Sequence, residues 1–281
     1  MLEITRLRSA DIQASHRLSA SAGWNQVQTD WERLLALSPD GCFCGRTDGE
    51  LVGTTCVVTY ADELSWIGMV LVDESHQANG YGTALFERGL EHALDSGTNS
   101  IGLDTNDAGA DVFRQFGFRE TATIERWHGN LGTVETPHDA TILSPAQIAD
   151  LYELDEEHLG IDRSALLSSL LSGIGVSGIG VYDQPGELAA YAILRPGKVH
   201  PQVGPVVAPD ADSFSALLNQ VTSILADPRI IIDTLPEATI RSRLDAHGLA
   251  PIREFSRMTY ESDQSLLADG DVRAVAGVEW G

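Results

Sequence analysis

Lysine is all but missing from this chain. Lys198 is the single one, and the 18 basic residues face 41 acidic ones, for a formal net charge of −23. Without clustered cations, nonspecific nucleic-acid binding and docking on an anionic membrane are both excluded as expectations. Cysteine is scarce too. Cys42, Cys44 and Cys56 are odd in number and lack metal-ligand spacing, which argues against a disulfide framework or a metal site and for a reducing compartment. In "CFC", Cys42 and Cys44 fall on one face of a strand as small apolar residues. No run of 18 apolar residues occurs, and the first residues lack the basic-then-apolar order of a signal peptide. These absences predict a soluble, cytoplasmic protein. The acids that are present are spread along the chain instead of forming a tail, so disorder is a poor reading. Adaptation to a high-salt cytoplasm is the better one, because at ~1 M salt a Debye length of about 3 Å screens surface self-repulsion. An ordinary acidic protein is the alternative. With 43% hydrophobic residues in 281, one large core or two ordinary ones can be buried.

The first half alternates helix and strand signals. Residues 2–7 read as a strand, 9–23 as a helix with Ser9 as N-cap, and 29–39 as a second helix capped by Thr29. Residues 41–60 read as a hairpin turning at Thr47-Asp48-Gly49. A strand at 64–72, a Gly-rich loop, a helix over about 80–95, a strand at 99–106, a short helix at 108–117 and a strand at 118–129 follow. Three segments are expected: a first domain over 1–130, a linker over 131–138 with Gly, Thr and Pro, and a second domain over 139–281.

The second half repeats this grammar. "WIGMVLVDE" resembles "QVGPVVAPD", "IGLDT" resembles "IIIDT", and "VFRQFGFRE" lines up with "RLDAHGLAP". Asp104 and Asp233 are 129 apart and Gly117 and Gly248 are 131 apart, but Gly68 and Gly204 are 136 apart. The second copy is therefore seven residues shorter where the first has "SHQANGYG". One copy has the loop and the other has lost it.

That loop, within "VDESHQANGYGTAL", joins a strand to a helix and contains neither Lys nor Arg. Such a turn aims backbone N–H groups at one point, where the helix dipole adds about half a positive charge. Gly80 and Gly82 allow close backbone approach, and the Gln77 amide and Thr83 hydroxyl can add donors, all of which suits a phosphate. A tight turn without a ligand is the plain alternative. The sequence matches neither GxxxxGK[ST] nor GxGxxG.

Residues 66–118 resemble the core of the GNAT superfamily of acetyl-CoA-dependent N-acyltransferases. The family's [RQ]-x-x-G-x-[GA] loop is matched by Gln77-Ala78-Asn79-Gly80-Tyr81-Gly82, and its Y-x-x-x-G-F ending by Phe113 to Phe118. "AGWNQ", "GCFC" and "VGTT" in the first half, with "LGIDRSALL", "ILRPG", "GPVVAPD" and "FSRM" in the second, are similar to the YitH-type two-domain group of that superfamily. The resemblance implies an α/β (mixed α+β) chain of tandem GNAT domains, each a twisted, mixed, mostly antiparallel sheet flanked by helices, the second degenerate. It implies an acetyltransferase that takes acetyl-CoA as cosubstrate, needs no metal and acetylates the amine of a small molecule by direct attack. It also implies that backbone at Val70, Leu71 and Val72 holds the pantetheine, and that Gln77, Ala78, Asn79, Gly80, Tyr81, Gly82 and Thr83 hold the pyrophosphate. Asn106 either sits near the thioester arm or caps the next helix.

One departure stands out. Where the family has a Tyr that protonates the leaving thiolate, this chain has Phe113. Another group or water can serve, the thiolate can leave unaided, or the protein is a noncatalytic acyl-CoA-binding regulator. The base is open as well. Asp104, a carboxylate in an apolar strand, is the first candidate, against a plain reading as a buried, satisfied Asp; Glu63 and His76 read as solvated. For the acceptor, Trp24, Asn25 and Gln26 are expected to wall the cleft, or else Trp24 anchors a helix pair and Asn25 caps a helix. Asp162 and Arg163 either point into the cleft or form an exposed helix-start pair. No residue bears on oligomeric state.

Overall fold

The structure is a computed structural model that describes residues 1–183, 186–266 and 270–281. The first half runs β1 (Glu3–Arg6), α1 (Ile12–Ser21), α2 (Gln28–Leu37), β2 (Cys42–Thr47), β3 (Glu50–Tyr60), β4 (Leu64–Val72), α3 (Tyr81–Asp95), β5 (Ser100–Thr105), α4 (Asp107–Arg114) and β6 (Phe118–Asn130). The second runs β7 (Ala140–Ile142), α5 (Ile148–Leu159), α6 (Ser164–Leu171), β8 (Ser177–Tyr182), β9 (Leu188–Arg195), β10 (Gln202–Val207), α7 (Ala211–Ile224), β11 (Arg229–Thr234), α8 (Ala238–Ala246), β12 (Leu249–Tyr260) and β13 (Val272–Ala274). The repeat read from the sequence is therefore a repeat of structure, with β4–α3–β5–α4–β6 answered by β10–α7–β11–α8–β12.

Two helix starts differ from expectation. Neither Ser9 nor Thr29 caps. Instead the Asp11 carboxylate accepts the Arg8 N–H at 3.0 Å, and that of Asp30 accepts the Val27 N–H at 2.8 Å. A carboxylate inside the first turn reaches back to a free amide and also meets the positive end of the helix dipole, which a hydroxyl cannot do as well.

The two expected sheets are one. Thirteen strands form a continuous sheet in the order β1-β2-β3-β4-β5-β12-β6-β11-β13-β10-β9-β8-β7, antiparallel except for β4/β5 and β10/β11. The fusion comes from exchange of the last strand of each β–α–β–α–β unit: β12 lies between β5 and β6, while β6 lies between β12 and β11. Each half thereby covers the other's open edge, which would otherwise present unpaired N–H and C=O groups. One apolar core runs across the halves, packing Trp31 and Leu34 of α2 and Trp66 of β4 with Leu166, Leu167 and Leu170 of α6 and with Trp280 of the C-terminal segment. Each such fully buried side chain contributes about 1.5–3 kcal/mol.

Candidate active site

β4 and β5 pair in parallel only at Leu64–Trp66 against Ser100–Gly102 and then part. The break follows from β4 itself. Met69 sits at φ 54°, the ladder with β3 shifts register between Thr54 and Cys56, and the Thr54 hydroxyl donates to the Met69 carbonyl at 2.8 Å. Beyond the bulge β4 stays with β3, so its edge toward β5 opens into a slot. The slot belongs to a cavity of about 570 Å³, lined on one side by Val70, Leu71 and Val72 and on the other by Leu103, Asp104, Thr105 and Asn106.

At one end the cavity meets the Gly-rich loop. Gly80, at φ 77°, precedes α3, and no side chain caps that helix. The first-turn amides of Tyr81, Gly82 and Thr83 thus meet the cavity with the dipole behind them. Gln77 and Asn79 serve the loop differently from expectation. Gln77 donates its side-chain amide to the Val72 carbonyl at 3.1 Å, and Asn79 donates to the carbonyls of His76 and Gln77. Gln77, Ala78, Gly80, Tyr81, Gly82 and Thr83 line the cavity; Asn79 does not. Backbone supplies the donors for an anion here, and the two amide side chains shape the loop that presents them.

Phe113 lines the cavity from α4, its ring tilted 37° against that of Phe86 with centroids 4.3 Å apart. It is set firmly in an aromatic cluster with Phe116 and Phe118 around Phe86, and it offers no proton. Asn106 caps α4, its Oδ1 accepting the Gly109 N–H at 3.0 Å, and it also lines the cavity.

Asp104 reaches the cavity wall with both oxygens committed. Arg257 of β12 grips it bidentately at 2.9 and 2.8 Å, and both side chains are fully buried. Burial pushes the Asp104 carboxyl up, and Arg257 pulls against it. Its repeat counterpart Asp233 is held the same way by Arg126 of β6, at 2.7 and 2.8 Å. Each half's Asp therefore clasps the other half's exchanged strand. The candidate base is a satisfied, structural Asp in this geometry. Glu63 is exposed and accepts from Asn99, and His76 stays in the loop beside Ser75 and Asp73.

At the opposite end Trp24, Asn25 and Gln26 line the cavity. Asn25 caps no helix. It ties the halves together, accepting the N–H groups of Val199 and His200 and donating to the His200 carbonyl and Gln202. Gln26 is 5% exposed, and its Oε1 has no partner. Arg163 is not in the cavity. It is buried, bidentate to Asp155, and donates to the Gly281 carbonyl at 3.2 Å. Asp162 is an exposed cap on the amide of Ser164. The helix-start pair expected between neighbours dissolves because Arg163 turns inward to a carboxylate one helix away.

Sequence reading missed Glu279. The C-terminal segment crosses β4 so closely at Gly68 that a Cβ there would lie 3.0 Å from the Glu279 carbonyl. Trp66 donates to the Val278 carbonyl and Tyr60 to that of Trp280. Glu279 lines the cavity, is 2% exposed, and pairs with Arg195 at 3.2 Å. Burial pushes its carboxyl up; Arg195 opposes this, Asp30 adds to it, and a hydrogen bond from Gln26 opposes it. Arg126, Arg253 and Phe255 complete this end. No signal in "AVAGVEWG" says where that stretch threads. Among the described residues no cluster of three His, Cys, Asp or Glu could hold a metal, and no helix is long and apolar enough to cross a membrane.

Comparison with known proteins agrees with this architecture. Residues 10–118 match the Acetyltransferase (GNAT) family model, and residues 151–272 match an Acetyltransferase (GNAT) domain model. Holothin acyltransferase of Pseudoalteromonas sp. (strain SANK 73390) is 27% identical over 61% of this chain, a match that spans 58% of that protein. The uncharacterised N-acetyltransferase YitH of Bacillus subtilis (strain 168) is 23% identical over 79% of this chain and 78% of its own length. Among solved structures, a candidate acetyltransferase from Pyrococcus horikoshii superposes with a TM-score of 0.81 at 20% identity, over 100% of this chain and 96% of that one. A tandem GNAT protein from the clavulanic acid biosynthesis pathway superposes with a TM-score of 0.67 at 14% identity, over 94% and 100%. Two matched domains, on paired β–α–β–α–β units, show that this chain belongs to the GNAT acetyltransferase family as a protein with two such domains.

Proposed function

We propose that this protein is an N-acetyltransferase that uses acetyl-CoA and acts on a small-molecule amine, with one active site per chain, in the first half. The observation that carries the reading is the continuous cavity from the uncapped start of α3, along the opened edge of β4, to the polar end beside Glu279. Its residues fit an acyl-CoA. First-turn amides meet the pyrophosphate, the freed backbone of Val70 to Val72 pairs with the pantetheine, and apolar Leu103, Val112 and Phe113 face the arm. Acyl-CoA brings the acyl group as a thioester, an electrophile that an amine attacks directly.

The chain's own part is to orient, polarise and take a proton. The N–H of Val70, just past the bulge, is placed to polarise the acyl carbonyl. Glu279 takes the proton of the attacking amine, with burial supplying the raised affinity a base working near neutrality needs. As the new C–N bond forms, the C–S bond breaks and the thiolate leaves with the electron pair. Phe113 gives it no proton, so solvent does, or the thiolate, with an ordinary pKa of about 8.5, departs as the anion.

Phe113 also favours a second reading, a noncatalytic acyl-CoA binder. Release of free thiol from acetyl-CoA over a panel of amines separates the two. Tight CoA binding with no release for any amine sinks the catalytic reading, and no thermal shift with excess CoA sinks both.

A further inference from the structure

Cations are rare in this chain, and nearly all are spent on its own acids. Among the described residues 14 of the arginines form ion pairs with carboxylates. Arg8, Arg17 and Arg253 do not, and of these three only Arg253 lines the cavity. Its guanidinium stands 5.2 Å from the centre of the Phe255 ring, and that of Arg126 stands 5.0 Å from the same ring. Arg126 spends Nε and Nη2 on Asp233, which leaves Nη1 outside the pair. Arg253 is itself exposed at the rim of the cavity, and with Nη1 of Arg126 it sets two guanidinium groups at one buried aromatic ring, a place where an anion entering the cavity meets positive charge.

The same end of the cavity has an opposite pole. Gln26 Oε1 is a buried acceptor with no donor, and an acceptor left so is costly unless a ligand meets it. Beside it lies the Glu279 carboxylate. Val278, the neighbour of Glu279, packs against the cluster that holds Phe255, and both poles line the same cavity of about 570 Å³. Charges of both signs, with an apolar ring between them, suit a compact ligand that is itself charged at both ends.

We propose that the acceptor is an amine that carries a carboxylate, its anion held by Arg253 with Nη1 of Arg126 at Phe255 and its N–H groups received by Gln26 Oε1 beside Glu279. This rests on the reading of the cavity as an acetyltransferase site. It commits the anion to the acceptor; the other source of the same chemistry is an acidic acyl chain on the donor.

The test uses the full chain and matched pairs of amines, small amino acids against their carboxamides, with acetyl-CoA and with succinyl-CoA as donor. Wild type is expected to prefer the acid of each pair, and Arg253→Ala to lower that preference about ten- to a hundredfold in kcat/KM, the scale of one charge-assisted contact. Arg253→Lys restores part of it, since charge returns without the guanidinium fork. CoA affinity serves as the check that each variant is folded. Equal use of acid and amide by wild type overturns the proposal, and so does an Arg253→Ala effect confined to succinyl-CoA. If no amine releases thiol, the catalytic reading has failed on its own. The site is then decided by melting: with CoA present, the acids raise the melting point and the amides do not if the anion pocket exists, and equal shifts overturn it.

Discussion

The two halves carry the same β–α–β–α–β unit, yet among the described residues the slot of one is open and that of the other is filled. In the first, β4 and β5 part after three paired residues and leave a slot. In the second, β10 and β11 part in the same way, but β13 is threaded between them: Ala274 pairs with both Val206 and Thr234, and Val272 with Val207. Eight residues join β4 to α3, and three join β10 to α7. The start of α3 has no side-chain cap, whereas Asp210 closes the start of α7 by accepting the N–H groups of Asp212 and Ser213. A strand and a carboxylate of the chain's own occupy in the second half the two places that an extended arm and an anion would take in the first. The difference teaches that one β–α–β–α–β unit offers the same two places in both halves, and that filling them from within leaves no opening there for a ligand.

The strongest way to break that contrast is to make the first half like the second. Replacing residues 73–80 with the second half's Ala-Pro-Asp is expected to abolish CoA binding while the chain still folds. Wild type at 100 times Kd gains about 2.7 kcal/mol of stability from ligand, read as a rise in melting point, and the graft should gain none. A graft that still binds CoA would sink the assignment of the loop.

Next in size is Glu279, which the second half's chain delivers to the first half's site. Glu279→Gln is expected to lower kcat about 10²–10⁴-fold, the usual worth of a positioned proton acceptor. Only the ionised carboxylate takes a proton, so wild-type kcat/KM should rise with pH through a value above that of an ordinary Glu, and Gln should erase this limb. Linkage runs the other way for stability. A carboxyl whose folded value is raised adds stability at low pH that fades as pH climbs through that value. Loss of activity with the pH limb intact would return Glu279 to a structural role.

Legibility followed the range of the interactions involved. The bulge-and-loop end of the cavity is built from nearly contiguous residues, so the family resemblance carried by that stretch pointed to Val70 to Val72, Gly80 to Thr83, Asn106 and Phe113, all of which line the cavity. The strand exchange was not. β6 and β12 each read as a strand, but pattern does not name a partner, and their pairing joins residues more than a hundred apart. Asp104 shows the consequence. As a carboxylate in "IGLDT" it could be read as a base or as a buried, satisfied Asp, and sequence could not name its partner, because the arginine that satisfies it arrives on a strand from the other half. Glu279 was hidden for the same reason, in a stretch whose path is set by where Trp280 and Trp66 bury themselves.

The clasp itself is the third test. Asp104→Asn and Asp233→Asn each remove the carboxylate that grips a buried arginine bidentately, and each is expected to cost about 3–5 kcal/mol, read by denaturant unfolding. Equal costs would sharpen the view of the two pairs as equivalents across the exchanged strands. The acid limb of the rate should persist in Asp104→Asn; its disappearance would make Asp104 the base after all.

The smallest effect sharpens the comparison most. Asp210→Ala removes the cap from α7 and should cost about 1 kcal/mol, within the 0.5–2 kcal/mol usual for such caps. Burial raises the Asp210 carboxyl, but the amides of Ser213 and Asp212 outweigh it and hold the group below its ordinary value. Its contribution is therefore present above the unfolded-state value near 3.9 and lost as pH falls through the lower folded one, so wild type and variant should converge in stability in acid. Uncapping restores free amides at a helix start that faces a strand-filled slot. If β13 is what keeps the second half shut, Asp210→Ala still binds one CoA per chain by calorimetry, and a stoichiometry of two would show that the carboxylate alone had been the barrier.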